Sequence, residues 1–233
     1  MMTDRPIIFS APMVRALLDG RKTMTRRLAW GDPFPVPEES SNGWRADGCK
    51  VSGADDTGTC VCWHPSPWQR VQAGDRLWVK ESYFQFGHWE PVPGALTRKG
   101  RRQKWRFVAR DSVIRFDGPA EYRTGRHAAD PATHAWHLRM GRFMPRAASR
   151  LTLTVTAVRV ERLQEISAGN AIREGIAYPP TGMTLDEACE YGVDPRGEFR
   201  TLWNSLHGPE AWAANPEVVA LTFTVERRNI DAR

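Results

Sequence analysis

The sequence predicts an α+β fold with a mostly antiparallel, barrel-like sheet, on three observations. Leu151, Leu153 and Val155 alternate with Thr152, Thr154 and Thr156, the two-residue period of a half-buried strand. Phe199, Leu202, Trp203 and Leu206 recur at i, i+3, i+4 and i+7, the period of a helix. The elements run strand, helix, strands, long strand, helix, helix, strand, an order that fits α+β.

The first strand is read over Pro6-Ile7-Ile8-Phe9-Ser10. A helix follows, because Met13, Val14, Leu17 and Leu18 share one face, Pro12 lies in the first turn and Gly20 stands where a helix stops. Residues 31–72 hold many Pro, Gly, Ser and Asp and no sustained period, so they read as a long irregular excursion. Gly74-Asp75-Arg76 is a turn into a strand at Leu77-Trp78-Val79-Lys80-Glu81. Residues 84–137 form a second excursion, with a hairpin favoured where Trp105 and Phe107 alternate with Lys104 and Arg106. The long strand continues through Val158 and Val160. Ser167 caps a helix that runs to Glu174, and Gly175 ends it. Residues 177–183 are a turn-rich link, the Phe199 helix stops before Gly208, and Val218–Val225 is the last strand.

The 233 residues suit one large domain over 1–233, with insertions at about 31–72 and 84–137. Hydrophobic residues make up 41%, enough for a core, and the ten tryptophans are many for this length. The net charge of +6 fits an anionic partner such as nucleic acid or a nucleotide, and fits a solvated basic surface as well. No apolar run approaches membrane-spanning length, and the first residues lack a signal-peptide core. A cytoplasmic protein with reduced cysteines and no membrane partner is expected. Cys60, Cys62 and His64, with Cys49 upstream, are a weak match to zinc spacing, so neither a metal nor a cofactor is expected.

The chemistry concentrates in Gly20-Arg21-Lys22-Thr23-Met24-Thr25-Arg26-Arg27, which packs an amine, two hydroxyls and three guanidinium groups into eight positions. A lysine beside threonines can form a base–nucleophile pair, and Arg21, Arg26 and Arg27 can hold phosphate or a polar base edge. A plain basic loop after a helix is the competing reading. Thr23 is a nucleophile or a turn residue. Lys22 and Thr25 share a face on a helical turn but not on a flat strand, so joint action predicts a turn-like backbone over residues 21–25. Further on, Trp78 stacks on a base or packs in the core. Glu81 lines a cleft or pairs with an arginine. Arg146 and Arg150 bind phosphate or are ordinary charges before a strand. In the second excursion, basic residues interleave with Trp105 and Phe107, as on surfaces that grip a phosphate backbone.

These residues resemble the ASCH domain family, a branch of the PUA-like β-barrel superfamily, and most closely its larger phage and prophage members. The resemblance rests on Pro6–Ser10, Gly20–Arg27, Gly74–Glu81, Phe143–Arg150, Leu163–Ile166, Glu174-Gly175-Ile176 and Phe199–Asn204, about half the chain. It implies an α+β, PUA-like open β-barrel with flanking helices and two long insertions, its cleft facing RNA or a nucleoside. Small members of the family are amidohydrolases that remove the acetyl group of N4-acetylcytidine with a lysine, a threonine and a later glutamate. The positions that match are Lys22 as base, Thr25 as nucleophile and Glu174 as proton donor; alternatively Glu174 holds Lys22 by an ion pair, a conflicting role because pairing keeps the lysine charged. Arg21, Thr23, Arg26, Arg27, Trp78, Glu81, Arg146 and Arg150 then bind substrate or nucleic acid. Other members bind nucleic acid or are ribonucleases, so a non-catalytic reader of RNA or modified DNA is the alternative expectation.

Overall fold

The computed structural model describes residues 3–31, 34–35, 50–54, 60–98, 100 and 102–232. The chain divides into two compact units. The first holds Met1–Thr3, Arg15–Arg76 and Leu153–Glu226; the second holds Asp4–Val14, Leu77–Thr152 and Arg227–Arg233. Helix makes up 23% and strand 37%, and the described residues close no barrel. The class is mixed α+β.

In the first unit, β2 (Met24–Leu28) lies antiparallel to β12 (Glu217–Glu226), with Thr25 opposite Leu221, and β12 neighbours β11 (Thr152–Arg162). Val218 to Leu221 are all buried, and so are Leu153 and Val155, which makes this ladder one wall of the core. The helices α2 (Ala168–Arg173) and α4 (Pro195–His207) supply another. Leu163, Ile166, Ala171, Phe199, Trp203 and Val218 form one buried cluster, with Leu202 and Trp212 packed on it. The i, i+3, i+4 face of α4 is therefore the face that leaves water. Asp194 caps α4 through the Arg196 N–H, and Pro195 occupies its first position. Between these helices lies α3 (Leu185–Glu190), where Thr184 and Glu187 cap each other reciprocally.

Residues 31–72, expected to be irregular, carry a three-stranded sheet in the order β3 (Phe34–Pro35), β5 (Cys60–Trp63), β4 (Lys50–Ala54), followed by a 3₁₀ turn at Pro67–Arg70. These strands are two to five residues long, too short to show a period amid prolines and glycines.

In the second unit, β1 (Asp4–Ile8) neighbours β6 (Arg76–Lys80). The excursion at 84–137 is the expected hairpin, enlarged. Strands β7 (Tyr83–Leu96) and β8 (Gln103–Arg115) pair antiparallel, and β10 (Ala135–Arg139) and β9 (Arg123–Thr124) extend the sheet in the order β8-β7-β10-β9. Gly87 is obligatory where these strands approach, because a Cβ there would meet the Val108 carbonyl oxygen at 2.2 Å. Helix α1 (Ala11–Leu18) begins in this unit and belongs to the first from Arg15 on; it buries Val14, Ala16 and Leu17 and is followed by Gly20 with φ +73°, as its pattern predicts.

Candidate functional site

Two chain reversals in the first unit build the site. After α1 the chain runs through residues 21–23 with no regular structure, held by Lys22 N–H to Ala16 O (2.9 Å) and Thr23 N–H to Arg173 O (2.9 Å). It then enters β2. The second reversal is the end of α2, where Glu174 keeps helical dihedrals and Gly175 turns with φ +97°. A Cβ on Gly175 would stand 3.0 Å from Ala16 Cβ and 3.2 Å from Lys22 Cβ. Only glycine lets the two reversals close on each other.

What they enclose is an ionic network. Lys22 Nζ donates to Glu174 Oε2 (2.9 Å), Glu174 O (2.7 Å) and Met24 O (2.8 Å). Arg26 donates Nη1 to Glu174 Oε1 (3.0 Å), and Nε and Nη2 to Glu161 Oε1 (3.0 and 2.6 Å). Lys22, Arg26 and Glu174 are at most 4% exposed. Two cations thus face two carboxylates with little water among them. Burial pushes Lys22 below its ordinary value of 10.5; the Glu174 carboxylate opposes this, and Arg27 and Arg26 reinforce it. Burial also pushes Arg27 down, again opposed by Glu174, and the Arg27 guanidinium lies 5.5 Å from the centre of the Trp68 ring. Three acceptors around Nζ are the coordination of an ammonium. A buried lysine hydrogen-bonded to a carboxylate is an arrangement shared by active sites and by structural ion-pair networks.

The expected turn through residues 21–25 gives way to strand at Met24. The Phe223 N–H bonds Thr23 O (3.0 Å) and the Leu221 pairing draws Thr25 into the ladder. Thr25 is buried at 4% exposure, and strand alternation sets it opposite to Arg26. Among the described residues no hydrogen bond joins its hydroxyl to Lys22 or Glu174. Thr23 Oγ1 accepts from Arg173 Nε (3.2 Å), a turn role. Arg21 is tied to Gly175 O and to Asp19.

The other expected site residues lie in the second unit. Glu81 accepts both Arg150 Nε and Nη2 at 2.9 Å, and the Arg150 guanidinium stacks 4.0 Å from the Phe116 ring centre. Arg146 is held by Asp231 and Asp4. Trp78 is 9% exposed and takes Lys80 Nζ at 5.2 Å from its ring centre. Among the described residues no group of three or more His, Cys, Asp or Glu is placed to hold a metal. Cys49 and the side chains of Cys60 and Cys62 lie outside the described residues.

Sequence reasoning missed Glu161, which completes the charge balance. No local signal marked it: Glu161 shares the parity of Leu153 and Val155 on β11, but so do Ala157 and Arg159, which are exposed. Comparison with known proteins finds no matching family model, no curated relative and no similar solved structure. No helix among the described residues is long and apolar enough to cross a membrane.

Proposed function

We propose that the protein is an amidohydrolase acting on N4-acylated cytosine nucleosides, built on a PUA-like scaffold with two insertions. The observation that carries this reading is the buried Lys22–Glu174 hydrogen bond at 2.9 Å, formed by the residues that the family resemblance assigns to proton transfer. In the resting network Lys22 Nζ donates to the Glu174 carboxyl group. Transfer of one proton from Nζ to Oε2 yields a neutral amine and a carboxylic acid, the base and the acid that amide hydrolysis needs. Lys22 then takes the proton of Thr25 Oγ1 as that oxygen bonds the acyl carbon, a step that requires Nζ to leave its three resting acceptors and approach a threonine held in the β2 ladder. Glu174 gives its proton to N4 as the C–N bond breaks and the cytidine amine leaves. Water hydrolyses the threonine ester and regenerates the hydroxyl. Arg26 and Glu161 act as positioning residues that hold Glu174 against Lys22.

The test is hydrolysis of N4-acetylcytidine by the purified protein and by Lys22→Met, Thr25→Val and Glu174→Gln, each checked for folding by circular dichroism. Turnover by the parent and loss in all three folded variants supports the reading. Full activity in Thr25→Val removes threonine as nucleophile.

A second reading is a non-catalytic module that binds RNA or modified DNA. It is favoured by the three acceptors that already engage Lys22 Nζ and by the extended backbone at Thr25. Both features suit a fixed ionic lock beneath a binding face. No turnover by the parent protein, together with salt-dependent binding of RNA or DNA, would select this reading.

A further inference from the structure

The sheet of the second unit carries a cleft of about 430 Å³ that the reading above does not use. Its volume falls within the range of about 300–1,000 Å³ usual for small-ligand sites. Phe86 from β7 and Trp136 from β10 stand edge to face at 5.7 Å, on directly paired residues. Tyr122 forms another wall. It is 50% exposed, yet its ring is fixed edge-on against buried Phe84 at 4.9 Å. Each ring of the central pair also meets a guanidinium, Arg110 at 5.8 Å from Phe86 and Arg115 at 5.6 Å from Trp136. Both arginines are exposed, and among the described residues neither has a carboxylate partner. Glu121, on the cleft wall, is exposed and has no cation partner among the described residues. Residues 84–137 hold ten basic and five acidic side chains, so this insertion carries most of the protein's +6 charge.

We infer that this cleft binds a nucleotide, its base on Tyr122 and Trp136 beside Phe86, whose ring already stacks on His134 of the same wall, and its phosphate on Arg110 and Arg115, which flank the rings outside the cleft wall. Aromatic walls stack a base of any sequence, and unpaired guanidinium groups supply the charge an adjoining phosphate needs. Arginines at both rings disfavour a cationic guest such as a quaternary ammonium, the other usual occupant of an aromatic cage. A carboxylate accepts hydrogen bonds and donates none, so Glu121 favours the N4 amine of cytosine over uracil, whose one Watson–Crick donor, N3–H, lies between two carbonyl oxygens that repel the carboxylate. The same chemistry is offered by a free nucleotide and by a single strand. The inference does not rest on the hydrolase reading.

The experiment titrates the full chain with CMP and UMP by calorimetry, and with a labelled oligocytidylate of about ten nucleotides by anisotropy. Saturable CMP binding stronger than UMP binding identifies a free nucleotide as the source; binding of the oligonucleotide alone identifies a strand. Tyr122→Ala is expected to weaken binding about tenfold at fixed salt, a typical loss for one stacking ring. Arg110→Glu and Arg115→Glu are expected to lower the salt dependence of oligonucleotide binding. Glu121→Gln is expected to narrow the preference for cytosine. Tyr122 and both arginines are exposed, so these variants keep the test sound where Trp136→Ala fails to fold. All are expected to retain hydrolysis of N4-acetylcytidine, which separates this site from the one in the first unit. The inference is overturned if neither ligand binds, if Tyr122→Ala and Arg110→Glu bind as the parent does, or if duplex of the same sequence binds more tightly than the single strand.

Discussion

Lys22 Nζ lies 2.9 Å from Glu174 Oε2 across 152 residues of chain, and Arg26 Nη1 lies 3.0 Å from the other oxygen of the same carboxylate. One buried anion therefore serves two buried cations. Its removal takes the carboxylate from Lys22 and leaves Arg26 with Glu161 alone, whereas removal of Lys22 leaves Glu174 still paired with Arg26. The network is asymmetric, and the asymmetry can be measured.

Glu174→Ala is expected to cost about 3–5 kcal/mol, the range for breaking a buried ion pair. Lys22→Met is expected to cost less, because it removes a charge that burial already disfavours and keeps most of the side-chain volume. Urea unfolding of the two variants tests the order. Equal losses would show that Arg26 does not share the load.

Gly175→Ala is expected to destabilise for two reasons that can be separated. The φ of +97° strains any side chain, and the new Cβ meets Ala16 and Lys22 at 3.0 and 3.2 Å. Gly182 has φ +88° with open space around its Cβ position, so Gly182→Ala carries the strain alone. Strain of this kind costs about 1–3 kcal/mol. The larger loss in Gly175→Ala measures the close approach, and it is expected to come with reduced turnover because Lys22 must shift.

Lys22 and Arg26 were legible because a motif puts unusual chemistry into eight residues, and Glu174 only because the family resemblance implies a later glutamate. The periodic elements were legible for a different reason: β11 and α4 each bury one face and repeat their period over several turns or pleats. What escaped lacks period or depends on distant pairing. Helix α3 has six residues, and its signature is the reciprocal Thr184–Glu187 cap rather than an apolar stripe. The backbone at Thr25, turn or strand, stayed open in the sequence because its conformation is decided by β12, almost two hundred residues later in the chain, and the strand found there counts against joint action of Lys22 and Thr25. Glu81 and Arg150 were weighed separately as site residues. That they choose each other is a tertiary fact no local pattern carries.

That pairing yields its own expectation. The Arg150 guanidinium makes two parallel bonds to Glu81 and stacks on Phe116, and lysine can reproduce neither the fork nor the stack. The Arg150 side chain is 38% exposed, so solvent screens the pair and Arg150→Lys is expected to cost only about 1 kcal/mol. Glu81 is 5% exposed, and Glu81→Ala is expected to cost more, since it empties a buried position and removes both bonds to Arg150. Thermal unfolding of both variants checks the ranking.

The buried His137 predicts a pH dependence of stability in the second unit. It is 1% exposed, Nδ1 stands 3.2 Å from Gly125 O, and Nε2 has no partner among the described residues. Burial pushes its pKa below 6.5; the Gly125 carbonyl opposes the shift, while Arg123, Arg139 and His127 add to it. The sign follows from proton counting. Below pH 6.5 the unfolded chain protonates this ring and the native state does not, so acid favours unfolding. Stability is expected to fall as pH drops from 6.5 toward the lowered native value, and to be insensitive to this residue above 6.5. The other acids and bases of the chain titrate as well, so the informative quantity is a difference. Denaturant unfolding of the parent and of His137→Asn at about pH 7.5 and about pH 5.5 isolates it. The parent is expected to lose more stability than the variant over that interval, because only the parent carries the imidazole. A constant difference between the two proteins would mean that the buried ring accepts its proton in the native state.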